Sequence, residues 1–214
     1  MADKNRPLIP KYAFFPVVVY ILMLLPYFIS RLIPEKNYHD FSLPLDDIIP
    51  FVPVFVWIYV LAYVQWFIGY VFIARSERLF CETYFSAAFL VRFISTIIFI
   101  IIPSTLTRPD FVADTMSERL VEYIYSVDSA DNLLPSLHCA ESWLVARAAM
   151  EGKASKIFKL GMFIMAILVF CSVVFIKQHV FMDIPAGILL TELSIWITKK
   201  FDLGRMYRWL NLSA

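Results

Sequence analysis

Charge is scarce in this 214-residue chain. Asp, Glu, Lys and Arg together make up 17% of it, against 60% hydrophobic residues. With a mean hydropathy of +0.71, that balance excludes an ordinary soluble domain, which carries more charge. Net charge is only +1, and the aromatic residues lie inside apolar runs rather than among basic patches, so no nucleic-acid partner is expected. Cysteine is nearly absent. Cys81, Cys139 and Cys171 are odd in number, widely spaced and without a C-x-x-C, which argues against both a disulfide framework and a zinc site. They read as small buried hydrophobes. The apolar runs are continuous rather than alternating, which disfavours a β-barrel. No internal repeat, low-complexity tract or interdomain linker is visible. Lys4, Arg6 and Lys11 precede an apolar run as in a secretory signal. That run is too long, contains Pro16 and Pro26, and has no small-x-small cleavage site at its end, so it reads as a first transmembrane helix.

What the chain does have is long greasy stretches. Six spans are read, at about 13–33, 48–74, 79–102, 134–150, 157–176 and 183–198, each near the roughly 20 residues that cross a bilayer as helix. The fold expected is an all-α integral membrane protein, a six-helix bundle forming a single domain over residues 1–214. Basic residues near the span ends divide unevenly. Lys4, Arg6, Lys11, Arg75, Arg78, Lys153, Lys156, Lys159, Lys199, Lys200, Arg205 and Arg208 fall on one side; Arg31, Lys36, Arg108, Arg119 and Lys177 fall on the other. The bias places both termini in the cytoplasm and three loops outside, about 34–47, 103–133 and 177–182. The longest of these is acidic, and its segment SERLVEYIY, residues 117–125, suits a short amphipathic surface helix.

Polar residues of an unusual kind gather on that outer side. PSTLTRPD (103–110) follows the third span, LLPSLHCAES (133–142) opens the fourth, and FIKQHVFMD (175–183) bridges the fifth and sixth. These segments carry His138, His179, Asp183, Arg108, Lys177 and Ser136. Two imidazoles suit phosphoryl transfer, one attacking phosphorus and the other protonating the departing oxygen. Asp183 lies four residues after His179, where a carboxylate fixes the imidazole's tautomer if the stretch is helical. Arg108 and Lys177 would hold phosphate oxygens, and Ser136 with the amides at the start of the fourth helix would add donors. Each residue alone has a plainer reading: a snorkelling lysine, a helix-capping aspartate, a turn at Arg108-Pro109. Their coincidence on one face favours a site. The competing reading is zinc held by His138, His179 and Asp183; the two nearby cations oppose it, and no metal or other cofactor is expected.

These segments resemble the type 2 phosphatidic acid phosphatase superfamily of membrane lipid phosphatases and phosphotransferases. Its signature is Lys, six residues, then Arg-Pro; Pro-Ser-x-His; and Ser-Arg, five residues, then His-x-x-x-Asp. Here the second part is intact as Pro135-Ser136-Leu137-His138, the third keeps Ser172, His179 and Asp183, and the first keeps Arg108-Pro109. The likeness covers about residues 75–200, which would be the catalytic core. It implies His179 as nucleophile through a phosphohistidine, Asp183 as its orienting group, His138 as general acid, Arg108 and Ser136 as phosphate ligands, and no metal. Two family cations are missing: their positions hold Ile101 and Val173. Lys177 is the natural substitute. Arg92 and Arg147 are further candidates, but their depth favours pairing with intramembrane acids such as Glu82, Glu141 or Glu192. Glu141, one turn past His138, could also line the pocket. His39 reads as a surface residue. The Lys-Gln-His variant looks like the divergent branch that includes inositol phosphorylceramide synthase-like proteins.

The expected activity is therefore hydrolysis of an amphiphilic lipid phosphate at the extracytoplasmic face of a multi-pass protein of the plasma membrane. A headgroup phosphotransferase using the same residues is the alternative. A non-enzymatic transporter or scaffold is a third reading, disfavoured because the spans show no two-halved symmetry.

Overall fold

Continuous apolar sequence leaves backbone amides and carbonyls no partners but each other, and the chain accordingly folds as helices. The computed structural model describes residues 9–27 and 37–207. Helix α1 spans Lys11–Leu22, and the short α2 spans Pro44–Ile48. A 3-10 turn at Pro53–Phe55 leads into α3, Val56–Arg75. Then come α4, Arg78–Ile101, α5, Met116–Val127, α6, Leu137–Glu151, α7, Lys156–Phe175, and α8, Asp183–Phe201. Two-residue strands β1, His39–Asp40, and β2, Ser104–Thr105, pair in parallel.

Three of these helical segments are long and apolar enough to cross a membrane: Pro53–Arg75, Arg78–Ile101 and Lys156–Phe175. The apolar run Lys11–Tyr27 is shorter. The end of the expected first span, with Lys4, Arg6, Arg31, Lys36 and Arg208 of the charge count, lies outside the described residues. The run expected from about residue 48 enters its helix later, because Pro50 and Pro53 hold the preceding chain out of it. The surface helix expected at 117–125 is α5. Its start is a reciprocal cap: Glu118 N donates to Thr115 Oγ1 at 3.3 Å and Thr115 N to the Glu118 carboxylate at 2.7 Å, satisfying two otherwise unpaired amides.

Helix α6 is the hub, packing on α3, α4, α7 and α8. It is the least greasy of the expected spans because it is built of small residues. Ala140, Ala146, Ala148 and Ala149 are all fully buried, which lets neighbouring backbones approach closely. Gly187 of α8 lies so near that a Cβ there would stand 2.7 Å from the Ser136 carbonyl oxygen. Four residues on, Thr191 Oγ1 donates to Ala140 O at 3.0 Å. On the opposite flank, a Cβ on Gly69 of α3 would collide with Val145 Cβ. Cys81 and Cys139 are buried in this packing and Cys171 is half-buried; all three are free thiols.

Charges inside the bundle are matched, as burial in a low dielectric demands. Arg92 pairs with Glu141 at 2.7 Å and Arg147 with Glu192 at 2.7 Å, while Glu82 takes Arg78 at 2.8 Å. Both arginines thus find the class of partner expected of them.

The Gly187 contact is a stability prediction. Gly187→Val should lower the melting temperature of the detergent-solubilised protein by roughly 2–10 °C, the shift for about 1–3 kcal/mol of overpacking in a chain of this size. Gly161→Ala should leave it unchanged or raise it, because nothing lies within 4 Å of that position and alanine is the better helix former. Differential scanning fluorimetry of the two variants checks both.

Candidate active site

The sequence Pro135-Ser136-Leu137-His138 starts α6, and Ser136 is its N-cap: its Oγ accepts from Cys139 N at 3.2 Å. That bond fixes the first turn, and so the direction of His138. The imidazole sits in an aromatic box supplied by α3. It stacks on Tyr59, with centroids 4.1 Å apart, meets Tyr63 edge-on at 5.6 Å and touches Trp66 at 5.1 Å. Residues 59, 63 and 66 follow the i, i+4, i+7 spacing of one helical face. The His138 Nε2 atom is buried and has no hydrogen-bond partner among the described residues.

His179 comes from the turn between α7 and α8. That turn is not a regular helix, so the spacing to Asp183 works through a different geometry from the one the sequence suggests. Helix α7 ends with Lys177 in the left-handed region, φ 50°, and the amides of Gln178 and His179 both donate to Val173 O, at 2.9 and 3.0 Å. Asp183, fully buried at the start of α8, accepts from Val180 N at 3.1 Å and holds His179 Nδ1 at 2.9 Å. Its carbonyl accepts from Ser136 N at 3.2 Å, which joins the two histidine-bearing segments directly. The His138 and His179 rings end 6.2 Å apart between centroids, and both border the same cavity.

The cations are placed differently from the sequence expectation. Lys177 does not line the cavity: its Nζ donates to the carbonyls of Asp46 and Ile49, at 2.7 and 2.6 Å. With Asp46 Oδ1 accepting from Phe181 N at 2.7 Å, it clasps the α2 loop to the turn that carries His179. The reason is directional. The left-handed backbone at Lys177 sends its side chain toward the α2 carbonyls, which helix termination leaves in need of donors. Arg108 braces the chain behind the cavity. It donates to Tyr125 O at 3.1 Å, Asp128 O at 2.6 Å and the Gln178 side-chain carbonyl, and lies over the Tyr125 ring at 4.0 Å. Burial lowers its guanidinium pKa, against the opposing effects of Tyr125 and Asp128. Ile101 points outward, 70% exposed, and Val173 is fully buried.

A cavity of about 480 Å³ opens beside the two imidazoles, lined by His138, His179, Gln178, Tyr63, Trp66 and Arg92, with Asp128 and Asp131 toward the α5–α6 connection. Leu24, Leu133 and Leu137 give it an apolar wall. Sequence reasoning missed the α3 aromatics, Gln178 and Asp128. The 59–63–66 stripe was legible as a helix face, but nothing in it said which histidine it would meet. Among the described residues, no three His, Cys, Asp or Glu side chains gather as a metal-ligand set.

The arrangement offers an imidazole oriented by a carboxylate, a second imidazole whose Nε2 has no partner among the described residues, and a mostly apolar cavity that both border. No curated protein and no solved structure matches the chain. The PAP2 superfamily description matches residues 79–207, which takes in the segments that carry Arg92, Arg108, His138, His179 and Asp183. With that match covering more than half of its length, the chain belongs to the PAP2 superfamily, whose members are generally phosphoric-ester hydrolases or transferases.

Proposed function

We propose that the protein is a membrane lipid-phosphate phosphatase working through a phosphohistidine. The observation that carries this reading is the pair of rings 6.2 Å apart at one cavity, with Asp183 bound to Nδ1 of His179. Because Nδ1 is taken, Nε2 of His179 is the attacking nitrogen. Its lone pair forms the N–P bond as the ester P–O bond breaks, and Asp183 stabilises the imidazolium that results. His138, protonated at Nε2, gives its proton to the leaving alkoxide. Neutral His138 then takes a proton from water, whose oxygen attacks phosphorus and breaks the N–P bond, releasing inorganic phosphate. Ser136 acts here by fixing the first turn of α6, and Arg108 by holding Gln178 and the α5–α6 connection.

The lipid's tails would remain in the bilayer while the headgroup enters from the side, past the leucines of the cavity wall. The topology that suits this is six spans with both termini cytoplasmic and the site at the extracytoplasmic face of the plasma membrane. In it α1, α6 and α8 complete the bundle around the three long apolar helices. The charge bias of the sequence supports that orientation.

A headgroup phosphotransferase is the second reading, favoured by one observation. The two positions where the family carries cations hold Ile101 and Val173, the departure that resembles the inositol phosphorylceramide synthase-like branch. A lipid hydroxyl would then replace water in the second step.

His179→Ala should abolish turnover, a loss of at least about 10³-fold, on every lipid phosphate that the wild-type protein accepts, measured as phosphate release from mixed micelles; retained turnover would remove the nucleophile assignment. Chelation with EDTA should leave wild-type turnover unchanged, and its loss would move the site to metal catalysis. Release of free phosphate without an added lipid acceptor supports the phosphatase. A product formed only when an acceptor lipid is supplied, seen by mass spectrometry, replaces it with the transferase.

A further inference from the structure

The chain has lost two cations that its family uses, and Lys177 and Arg108 are both committed to backbone carbonyls. A phosphoryl group entering this site still needs positive charge beyond the imidazoles, because the one protonated ring offsets only part of the charge on its equatorial oxygens. Arg92 lines the same cavity as His138 and His179. It reaches there from the middle of α4, and its side chain is only 7% exposed. We infer that Arg92 is the phosphate-binding cation of this site, replacing the charge absent at Ile101 and Val173; the inference rests on the phosphoryl-transfer reading above.

Three features fit Arg92 for the task. Its guanidinium is anchored through Nη2, which lies 2.7 Å from Glu141 Oε1 and donates to the Tyr20 hydroxyl at 2.9 Å, whereas Nε is buried with no hydrogen-bond partner among the described residues. An arginine whose fork is held at one end and open at another can bind an anion without releasing its anchor. The anchor is itself held in place. Glu141 Oε2 accepts from Tyr70, and Tyr20 stacks on Tyr70 with centroids 4.2 Å apart. Finally, Glu141 lies one turn beyond His138 on α6, so the helix that carries the acid imidazole also sets the guanidinium's position. The Arg92–Glu141 pair is neutral as a whole, so the empty cavity does not carry an isolated buried charge.

The test uses full-length protein in detergent and orthovanadate as the phosphoryl probe. Binding is measured by calorimetry, alongside turnover and melting temperature. Glu141→Gln keeps the guanidinium and should bind vanadate at least as tightly as wild type. The double variant Arg92→Met/Glu141→Gln removes both charges together and leaves no unpaired buried ion; it should bind vanadate at least 30-fold more weakly than Glu141→Gln alone. Vanadate binding by the double variant within threefold of wild type would overturn the assignment while leaving the histidine mechanism standing. So would an equal loss in Glu141→Gln alone, which would make the pair a fold element only. Should the double variant fail to fold, Arg92→Lys keeps the ion pair but loses the fork, and should weaken vanadate about 10-fold; unchanged affinity there overturns the inference. A wild-type protein that neither binds vanadate nor turns over any lipid phosphate would instead bring down the phosphoryl-transfer reading itself.

Discussion

One buried carboxylate organises the cavity end of the bundle. Asp183 lies where α8 begins, fully buried, and a charge there must be matched or it would cost several kcal/mol. Its Oδ2 is matched by the Val180 amide and His179 Nδ1. Satisfying it therefore fixes the tautomer and direction of the His179 imidazole. The same residue's carbonyl accepts the Ser136 amide, so the start of α6 is tied to the start of α8. The packing of Gly187 beneath Ser136 holds the two helices at that separation. The spacing of the two imidazoles is thus a consequence of how a buried charge is solvated by the chain.

The cations follow a division of labour that the same constraint explains. Loops at a helix end leave carbonyls without amide donors, and the nearest long cationic side chains are drawn to them. Lys177 is spent on the α2 carbonyls, and Arg108 on Tyr125, Asp128 and Gln178. Both rigidify the chain around His179 without facing the cavity. The clasp has a mechanical role: the turn 175–182 has no regular hydrogen-bond ladder, yet it must present Gln178 and His179 in fixed positions. Val52 N to Phe175 O at 2.9 Å and Phe181 N to Asp46 Oδ1 at 2.7 Å complete the attachment.

Much of this was legible before any coordinates. Continuous apolar runs marked α3, α4 and α7, whose partners are local and whose period is set by the backbone alone. The amphipathic character of 117–125 marked α5. The placement of three motif segments at helix ends on one side put His138, His179 and Asp183 near one another. What the sequence hid was direction. Lys177 is two residues from His179, and only the left-handed backbone at that position turns it away. Tyr59, Tyr63 and Trp66 form a face of α3, but which residue they box depends on a close α3–α6 approach at Gly69 and Val145 that no local pattern encodes. Arg92 was read as the partner of an acid, and it is; that the same side chain also borders the cavity depends on the approach of α1, α3, α4 and α6, far apart in sequence.

Burial decides how such an arginine differs from a cation at position 101. A lysine at position 101 would stand on an outward face of α4, where solvent weakens its field. A guanidinium in the interior acts through a lower effective dielectric, so one partly engaged arginine can do what two exposed cations do. The cost of keeping it there is met by Glu141, and the tyrosines at positions 20 and 70 spread that carboxylate's charge over hydroxyl donors. On the assignment made above, an arriving phosphate converts a neutral pair into an anion–cation–anion row. The outer members of that row repel, so the anion is held firmly only while it also gains from the two imidazoles. Binding is then coupled to the protonation of His138 and to attack by His179, which is where an enzyme gains from strength that appears in the transition state rather than in the resting complex.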